Sequence, residues 1–245
     1  YLWRLVARPS DKSLTPSLKG NDFSKMTGVS FAFGGSGTGG VTLGPGGFHV
    51  PGVLAQVQMF ADGLLGKKAN EQGLYAIWSG ANDYLFNGYT EPSGVVGNLA
   101  TAIETLYGLG ARSFLVPNLP DIGVSPLVVA QGMGPQFSLL TQAHNGALNS
   151  ALDGLAARLP GIQIVRVDVF TLTQRLVAAG YVPAPALEVI APGSGAFLCL
   201  FGDPMTCPDV NLSAKVPGLL FWDALHPTTQ VHEQVAKAMY DALPR

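Results

Sequence analysis

The sequence is poor in charged residues, and it lacks the features of several large protein classes. Only 12% of its 245 residues are Asp, Glu, Lys or Arg, and the formal net charge is −2. Nucleic-acid-binding chains usually carry a basic cluster; none is visible here, so we expect no nucleic-acid partner. No run approaches the roughly 18 apolar residues of a membrane-spanning helix, so the sequence predicts no transmembrane segment.

Cysteine and histidine are also scarce. The two cysteines, Cys199 and Cys207, and the four scattered histidines do not show the spacing of a zinc site, so we expect no metal. Spacing alone leaves open whether the cysteines form a disulfide bond or remain thiols. Hydrophobic residues make up 47% of the chain, which is typical of a globular protein large enough to bury its own core.

Short apolar runs alternate with helical patterns along the chain. The runs at 74–79, 113–117 and 162–167 are typical of buried parallel strands. We see no repeat and no linker, so we predict one α/β domain over residues 1–245, a three-layer α/β/α sandwich with a mainly parallel sheet. Apolar residues recur at the helical period in four segments: 53–65, 95–109, 137–159 and 169–179.

The remaining segments are shorter or rich in glycine and proline. Residues 182–220 are predicted to be irregular. Thr228 can cap the last helix, and the apolar residues of that helix then fall on one inner face. We predict a short helix at 1–7, a short strand at 29–33, and a loop at 41–52.

An acid and an imidazole lie three residues apart near the C-terminus, in the stretch Trp-Asp-Ala-Leu-His-Pro-Thr that ends at Thr228. On a tight turn the carboxylate of Asp223 can bond to Nδ1 of His226, which sets the tautomer and leaves Nε2 as a general base. Alone, such a pair is more often a loop histidine packed before a helix. The functional interpretation therefore depends on two other stretches.

Those stretches follow the strands predicted at 29–33 and 74–79. The first reads Phe-Gly-Gly-Ser-Gly, and the second reads Gly-Ala-Asn-Asp. Acyl transfer needs N–H donors for the oxyanion, which the backbone of Gly35 and the side-chain amide of Asn82 can supply. The structural alternatives are a plain tight turn at the glycines and an Asx turn at Asn82.

In this order the three stretches resemble the GDSL, or SGNH, family of serine esterases and lipases, and the resemblance extends over nearly the whole chain. It implies an SGNH-hydrolase-like, flavodoxin-like fold. It also implies hydrolysis of a small-molecule or polymer-attached ester through an acyl-serine intermediate, without metal or cofactor. His226 would be the base and Asp223 its orienting acid. Gly35, or the neighbouring Gly34, and Asn82 would form the oxyanion hole.

The family's first block, a Gly-Asp-Ser that carries the nucleophile, is not found in the sequence. We therefore expect that an N-terminal strand with this serine is missing from the 245 residues and that a groove lies beside the strand leading to Gly34. Ser36 and Ser79 are weaker candidates, because neither has the strand–turn–helix context of a nucleophile. The alternative function is an inactive relative that binds acyl or carbohydrate ligands.

The other histidines are interpreted as structural. His144, on a predicted helix and followed by Asn145, is expected to pack or cap, and His49 and His232 are expected on the surface or behind the site. The resemblance also implies a secreted or periplasmic protein, a setting in which disulfide bonds form.

We predict that Cys199 and Cys207 are bonded to each other, because they bracket a short loop and the family is usually extracytoplasmic. Titration of the denatured, unreduced protein with a thiol reagent should detect no free thiol. Detection of two free thiols per chain would contradict the prediction.

Overall fold

The computed structural model describes residues 2–7, 14–19, 22–23, 28–43, 49–182, 218–221 and 223–244. Cys199 and Cys207 lie outside these ranges, so their bonding stays a prediction. The helices are α1 (Leu2–Val6), α2 (Val53–Gly63), α3 (Ala81–Leu85), α4 (Ser93–Leu109), α5 (Pro126–Ala130), α6 (Gly134–Arg158), α7 (Val169–Ala178) and α8 (Thr229–Asp241). The strands are β1 (Thr15–Pro16), β2 (Val29–Ser30), β3 (Val41–Leu43), β4 (His49–Pro51), β5 (Leu74–Ala76), β6 (Ser113–Pro117) and β7 (Gln163–Val167).

The main sheet consists of β5, β6 and β7, which pair in parallel in that order. Parallel neighbours cannot be joined by a tight hairpin, and the long connections here contain helices: α4 lies between β5 and β6, and α6 lies between β6 and β7. The pairing confirms the prediction that the three apolar runs contain parallel strands. All three strands therefore present their carboxyl ends at the same edge.

Helices cover both faces of this sheet. Side chains alternate along β6, so each face of the strand presents apolar residues to one layer of helices. Phe114 and Val116 point into one cluster, and Leu115 points into the other. The first cluster is completed by buried residues of α2, α4 and α6, among them Val57, Leu99, Ile103, Leu152 and Leu155. The second is completed by α7 and α8, including Leu176, Val231, Val235 and Met239. The three-layer α/β/α fold is thereby confirmed, together with the inner face predicted for the last helix.

The outer side of β5 differs from the prediction of a fully buried strand. Leu74 is 39% exposed and Trp78 is 41% exposed. Among the described residues β5 pairs only with β6, and β2 pairs only with β1. A cavity of about 630 Å³ lies between β2 and β5, lined by residues 28–32 and 72–78 from the two segments. The apolar composition of 74–79 was a poor guide to burial because one edge of this strand opens onto that cavity.

Other differences concern short elements and boundaries. The segment 41–52 was predicted as a loop, but it contains β3 and β4, which pair in the antiparallel sense. The sequence pattern also missed the single turn of α3, which directly follows the β5 segment. Helix α6 begins earlier than predicted, at Gly134, since Pro135 fits the first helical turn. Helix α8 is capped as predicted, with the Thr228 hydroxyl accepting a hydrogen bond from Val231 N–H.

None of the helices in the described part of the chain combines the length and the apolarity that a membrane crossing requires.

We predict that Leu152→Ala destabilises the fold by about 2–5 kcal/mol, because truncating a buried leucine loses contacts and leaves a cavity. Leu152 is 1% exposed on α6. Leu139, on the same helix, is 67% exposed, so Leu139→Ala is the matched control and should change the free energy of unfolding by about 0.5 kcal/mol or less. Urea unfolding of both variants measures the difference, and equal effects would contradict the assigned core.

Candidate active site

The Asp223–His226 pair lies on the turn that precedes α8. The Asp223 carboxylate is 1% exposed, and its Oδ2 is 2.6 Å from Nδ1 of His226. Its Oδ1 accepts hydrogen bonds from the backbone N–H groups of Leu225, at 2.7 Å, and His226, at 2.5 Å. The contact expected from the sequence is therefore present. Since a carboxylate only accepts hydrogen bonds, the proton belongs on Nδ1, which leaves the Nε2 lone pair for a reacting group.

The interaction with Asp223 favours the protonated form of the His226 imidazole. The hydrogen bond that His226 Nδ1–H donates to Asp223 raises the pKa of His226 above its ordinary value, and burial opposes this increase only in part. His226 Nε2 has no hydrogen-bond partner among the described residues. Such an imidazole can accept a proton from a nearby hydroxyl and can return it to a leaving group.

The glycine turn after β2 presents a backbone donor. Ser36 N–H donates to the Phe33 carbonyl at 3.3 Å, and Gly35 has φ of 76°, a left-handed value that favours glycine at the third position of a tight turn. Gly35 N–H has no acceptor within the described part of the chain. Gly35 also lines the cavity at the site, whereas Gly34 is not among the lining residues.

Asn82 lies against this turn. It is on α3, and its Nδ2 donates a hydrogen bond to the Ser36 carbonyl at 2.9 Å. An amide nitrogen carries two N–H donors, so a second one remains for a ligand. Two segments that are 46 residues apart in sequence are thus brought together, as the prediction required.

One cavity of about 420 Å³ joins these groups. It is lined by Gly35, Asn82 and His226, and it opens across the carboxyl ends of the main strands, the usual ligand position in parallel α/β sheets. Asp223 lies behind His226 rather than in the lining. Most of the wall is apolar, with Phe33, Trp78, Phe86, Leu119, Phe221 and Leu225 among its residues.

The family model described as GDSL-like lipase/acylhydrolase matches residues 4–239. The chain belongs to this family. The resemblance inferred from the three sequence stretches is thereby confirmed.

Relatives within the GDSL family include several Arabidopsis thaliana proteins. The chain is 27% identical to GDSL esterase/lipase At2g42990 over 94% of its own length and 72% of the relative. It is 29% identical to GDSL esterase/lipase At1g73610, covering 90% of the chain and 67% of the relative. For GDSL esterase/lipase At2g04570 the identity is 24%, and the match spans 72% of the chain but only 55% of the relative. The chain thus spans from about half to nearly three quarters of the length of these relatives.

None of the serines that the structure describes in this GDSL-family chain is hydrogen-bonded to His226. The Ser36 hydroxyl donates to the Pro51 carbonyl at 2.8 Å and accepts from Gln56 Nε2 at 2.8 Å. Ser79 lines the cavity, but no hydroxyl of a described residue is hydrogen-bonded to His226 Nε2. The structure therefore disfavours Ser36 as the attacking residue and gives Ser79 no activating base.

The remaining histidines are placed largely as expected. His144 is fully buried, its Nδ1 is 2.8 Å from the Tyr84 hydroxyl, and burial lowers its pKa to about 4. It therefore packs in neutral form. His49 is exposed on β4. His232 lines the cavity with His226, and burial, followed by the nearby His226, lowers the pKa of His232.

Sequence reasoning assigned no role to Asp83, the residue after Asn82. It is 1% exposed, and its carboxylate accepts hydrogen bonds from Thr38. An acidic residue at the end of an apolar run is a recognisable signal, but its partner could not be identified from sequence spacing. Within the described residues, no group of His, Cys, Asp and Glu forms a metal site.

We predict that Asp223→Asn lowers the pKa of His226, because the amide loses the charge that favours the imidazolium. NMR titration of the imidazole Cε1–H should detect the decrease. Asp153→Asn, at an exposed carboxylate, should leave the titration unchanged. An unaltered His226 titration in Asp223→Asn would contradict the assigned interaction.

The same variant should show a pH-dependent loss of stability. A histidine whose pKa is raised in the folded state stabilises the fold below the unfolded-state pKa and loses this contribution as pH rises through the folded-state pKa. The difference in unfolding free energy between wild type and Asp223→Asn should therefore be larger near pH 6 than near pH 9, since free histidine titrates at about 6.5.

Proposed function

We propose that the protein is a carboxylic-ester hydrolase of the serine type, with His226 as general base, Asp223 as its orienting acid, and Gly35 and Asn82 as oxyanion donors. One observation carries the proposal: the Asp223–His226 pair and the Gly35–Asn82 pair meet at one apolar cavity. The names of the relatives, which are GDSL esterase/lipases, support the same reaction class.

The chemistry follows from these positions. A serine hydroxyl attacks the ester carbonyl while His226 Nε2 takes the hydroxyl proton, and the carbonyl oxygen becomes an oxyanion. Gly35 N–H and Asn82 Nδ2–H stabilise that charge. The tetrahedral intermediate expels the alcohol, which receives the proton from His226, and an acyl-serine remains. Water then attacks the acyl group by the same steps, releasing the acid and regenerating the serine.

We place the nucleophilic serine on a strand outside these 245 residues. The cavity between β2 and β5 supports this, because both bordering strands have an edge that no described strand covers. An unpaired edge inside a sheet leaves backbone N–H and C=O groups without partners. The segment after β2 contains Gly35, and the segment after β5 contains Asn82. A parallel strand between them would therefore end between the two oxyanion donors, where an attacking hydroxyl is needed.

Substrate class and setting are also part of the proposal. The apolar wall supports an ester with an apolar acyl group, and its openness to the surface is compatible with either a small-molecule or a polymer-attached alcohol. We retain the proposals that the chain is one domain and that the protein is secreted or periplasmic. An inactive, ligand-binding relative is the competing function, and the experiment below separates the two.

We predict that the 245-residue chain alone shows no esterase activity above background towards a p-nitrophenyl ester, whereas the gene product with the upstream segment hydrolyses it. His226→Ala in the longer protein should abolish hydrolysis because the serine loses its base. His49→Ala, at an exposed histidine on β4, is the control and should be neutral. The rate should increase as pH rises through the raised pKa of His226, since the base acts in its neutral form.

Two outcomes would overturn the proposal. Full activity of the 245-residue chain, abolished by Ser36→Ala or Ser79→Ala, would place the nucleophile at that residue. Ester binding without hydrolysis by the longer protein would favour the ligand-binding alternative.

A further inference from the structure

The two proposed oxyanion donors belong to separate segments, so a tertiary contact must set the distance between them. Gly35 lies in the turn after β2, and Asn82 lies on α3. Helix α3 has only five residues, and its N-cap, Gly80, provides no side-chain cap. A helix this short has little stability of its own. Its position therefore depends on what its side chains contact.

Asp83 provides contacts between this helix and the loop that follows Gly35. Its two carboxylate oxygens accept hydrogen bonds from Thr38 N–H at 3.0 and 2.9 Å. The Thr38 hydroxyl donates to Oδ1 at 2.8 Å, and Asn98 Nδ2 donates to that hydroxyl at 3.1 Å. The carboxylate thus joins α3 to the loop three residues beyond Gly35, and Asn98 connects both to α4.

The loop packs closely on this carboxylate. A Cβ added at Gly37 would lie 3.1 Å from each Asp83 oxygen and 2.9 Å from the Thr42 methyl group. Only glycine allows the backbone to approach so closely. The contact therefore leaves little freedom for the loop to move relative to Asn82, the residue before Asp83.

We infer that Asp83 is a positioning residue of the oxyanion site: its buried carboxylate holds the loop after Gly35 against the helix that carries Asn82. The inference deepens the proposed function and rests on it for the role of the two donors. Asp83 does not face the reacting atoms, since the cavity lining includes Gly35 and Asn82 but not Asp83. It acts through the geometry of the other two.

Burial also affects the titration of Asp83. Burial raises the pKa of Asp83 above its ordinary value, although the hydrogen bonds from Thr38 oppose the increase. An acid whose pKa is raised on folding makes the fold more stable as pH falls through that pKa, so its ionised form weakens the fold at neutral pH. The positioning role rests on the contacts of Asp83 with Thr38 and on the close approach of Gly37.

Asp83→Asn and Thr38→Val test the inference. The asparagine keeps one acceptor but places an N–H donor towards Thr38 N–H, so the loop must shift. Thr38→Val removes only the hydroxyl at nearly constant shape and reports on the same contact if Asp83→Asn does not fold. Asp153→Asn, at an exposed carboxylate, is the control.

The first measurement is ¹⁵N NMR of the 245-residue chain, which requires no catalytic activity. In Asp83→Asn we expect shifted or exchange-broadened signals from Gly35 N–H and the Asn82 side-chain amide, and unchanged signals from Phe114 in the core. Thr38→Val should shift the same signals by a smaller amount. If the Gly35 and Asn82 signals stay in place in the folded variants, the inference is wrong, whatever the activity of the protein.

The second measurement is hydrolysis by the longer gene product. We expect kcat to fall by about 100-fold in Asp83→Asn with KM changed by no more than about 3-fold, because a displacement of about 1 Å affects the transition state more than substrate binding. A double-mutant cycle with Thr38→Val should give less than additive losses. Unchanged kcat in a folded Asp83→Asn protein would overturn the inference. Absence of activity in the wild type would instead count against the proposed function and leave the NMR result to decide the positioning role.

Discussion

Parallel strand pairing is the constraint on which the rest of the structure depends. Because β5, β6 and β7 run in one direction, their carboxyl ends meet at one edge, and the loops that leave them meet there too. The Gly-Ala-Asn-Asp segment leaves the sheet at this edge, and the Asp-x-x-His turn is packed beside it by α8. A reversed β5 would carry Asn82 to the opposite side of the molecule, and no cavity would join it to His226.

The polar groups at this edge are held by hydrogen bonds from the backbone. Asp223 and Asp83 are both nearly inaccessible to solvent, and each accepts several N–H or O–H donors. Leaving such carboxylates without partners in an apolar site would cost several kcal/mol, so each one constrains the segments around it. Asp223 orients an imidazole, whereas Asp83 connects a loop to a short helix. The site thus has two parts, and each contains one buried acid that accepts several hydrogen bonds.

The cavity between β2 and β5 lies beside this site. Gly35 and Asn82, the two proposed oxyanion donors, follow the two strands that border the cavity, so a strand that filled it would end between them. Gly35, Asn82 and His226 line one cavity in the structure, while no described serine is bonded to His226.

The sequence by itself determined the fold class, the family and the candidate residues. The period of the apolar residues and the alternation of strands and helices are local features of the sequence. The hydrogen bond between Asp223 and His226 is also local, because it forms within a single turn. Long-range partners could not be predicted in this way. Which glycine lines the cavity, the tie between Asp83 and Thr38, and the engagement of Ser36 by Pro51 and Gln56 all join segments distant in the chain. The exposed side of β5 was missed for the same reason: an apolar run shows that a strand can be buried, but only the tertiary structure decides which of its edges is covered.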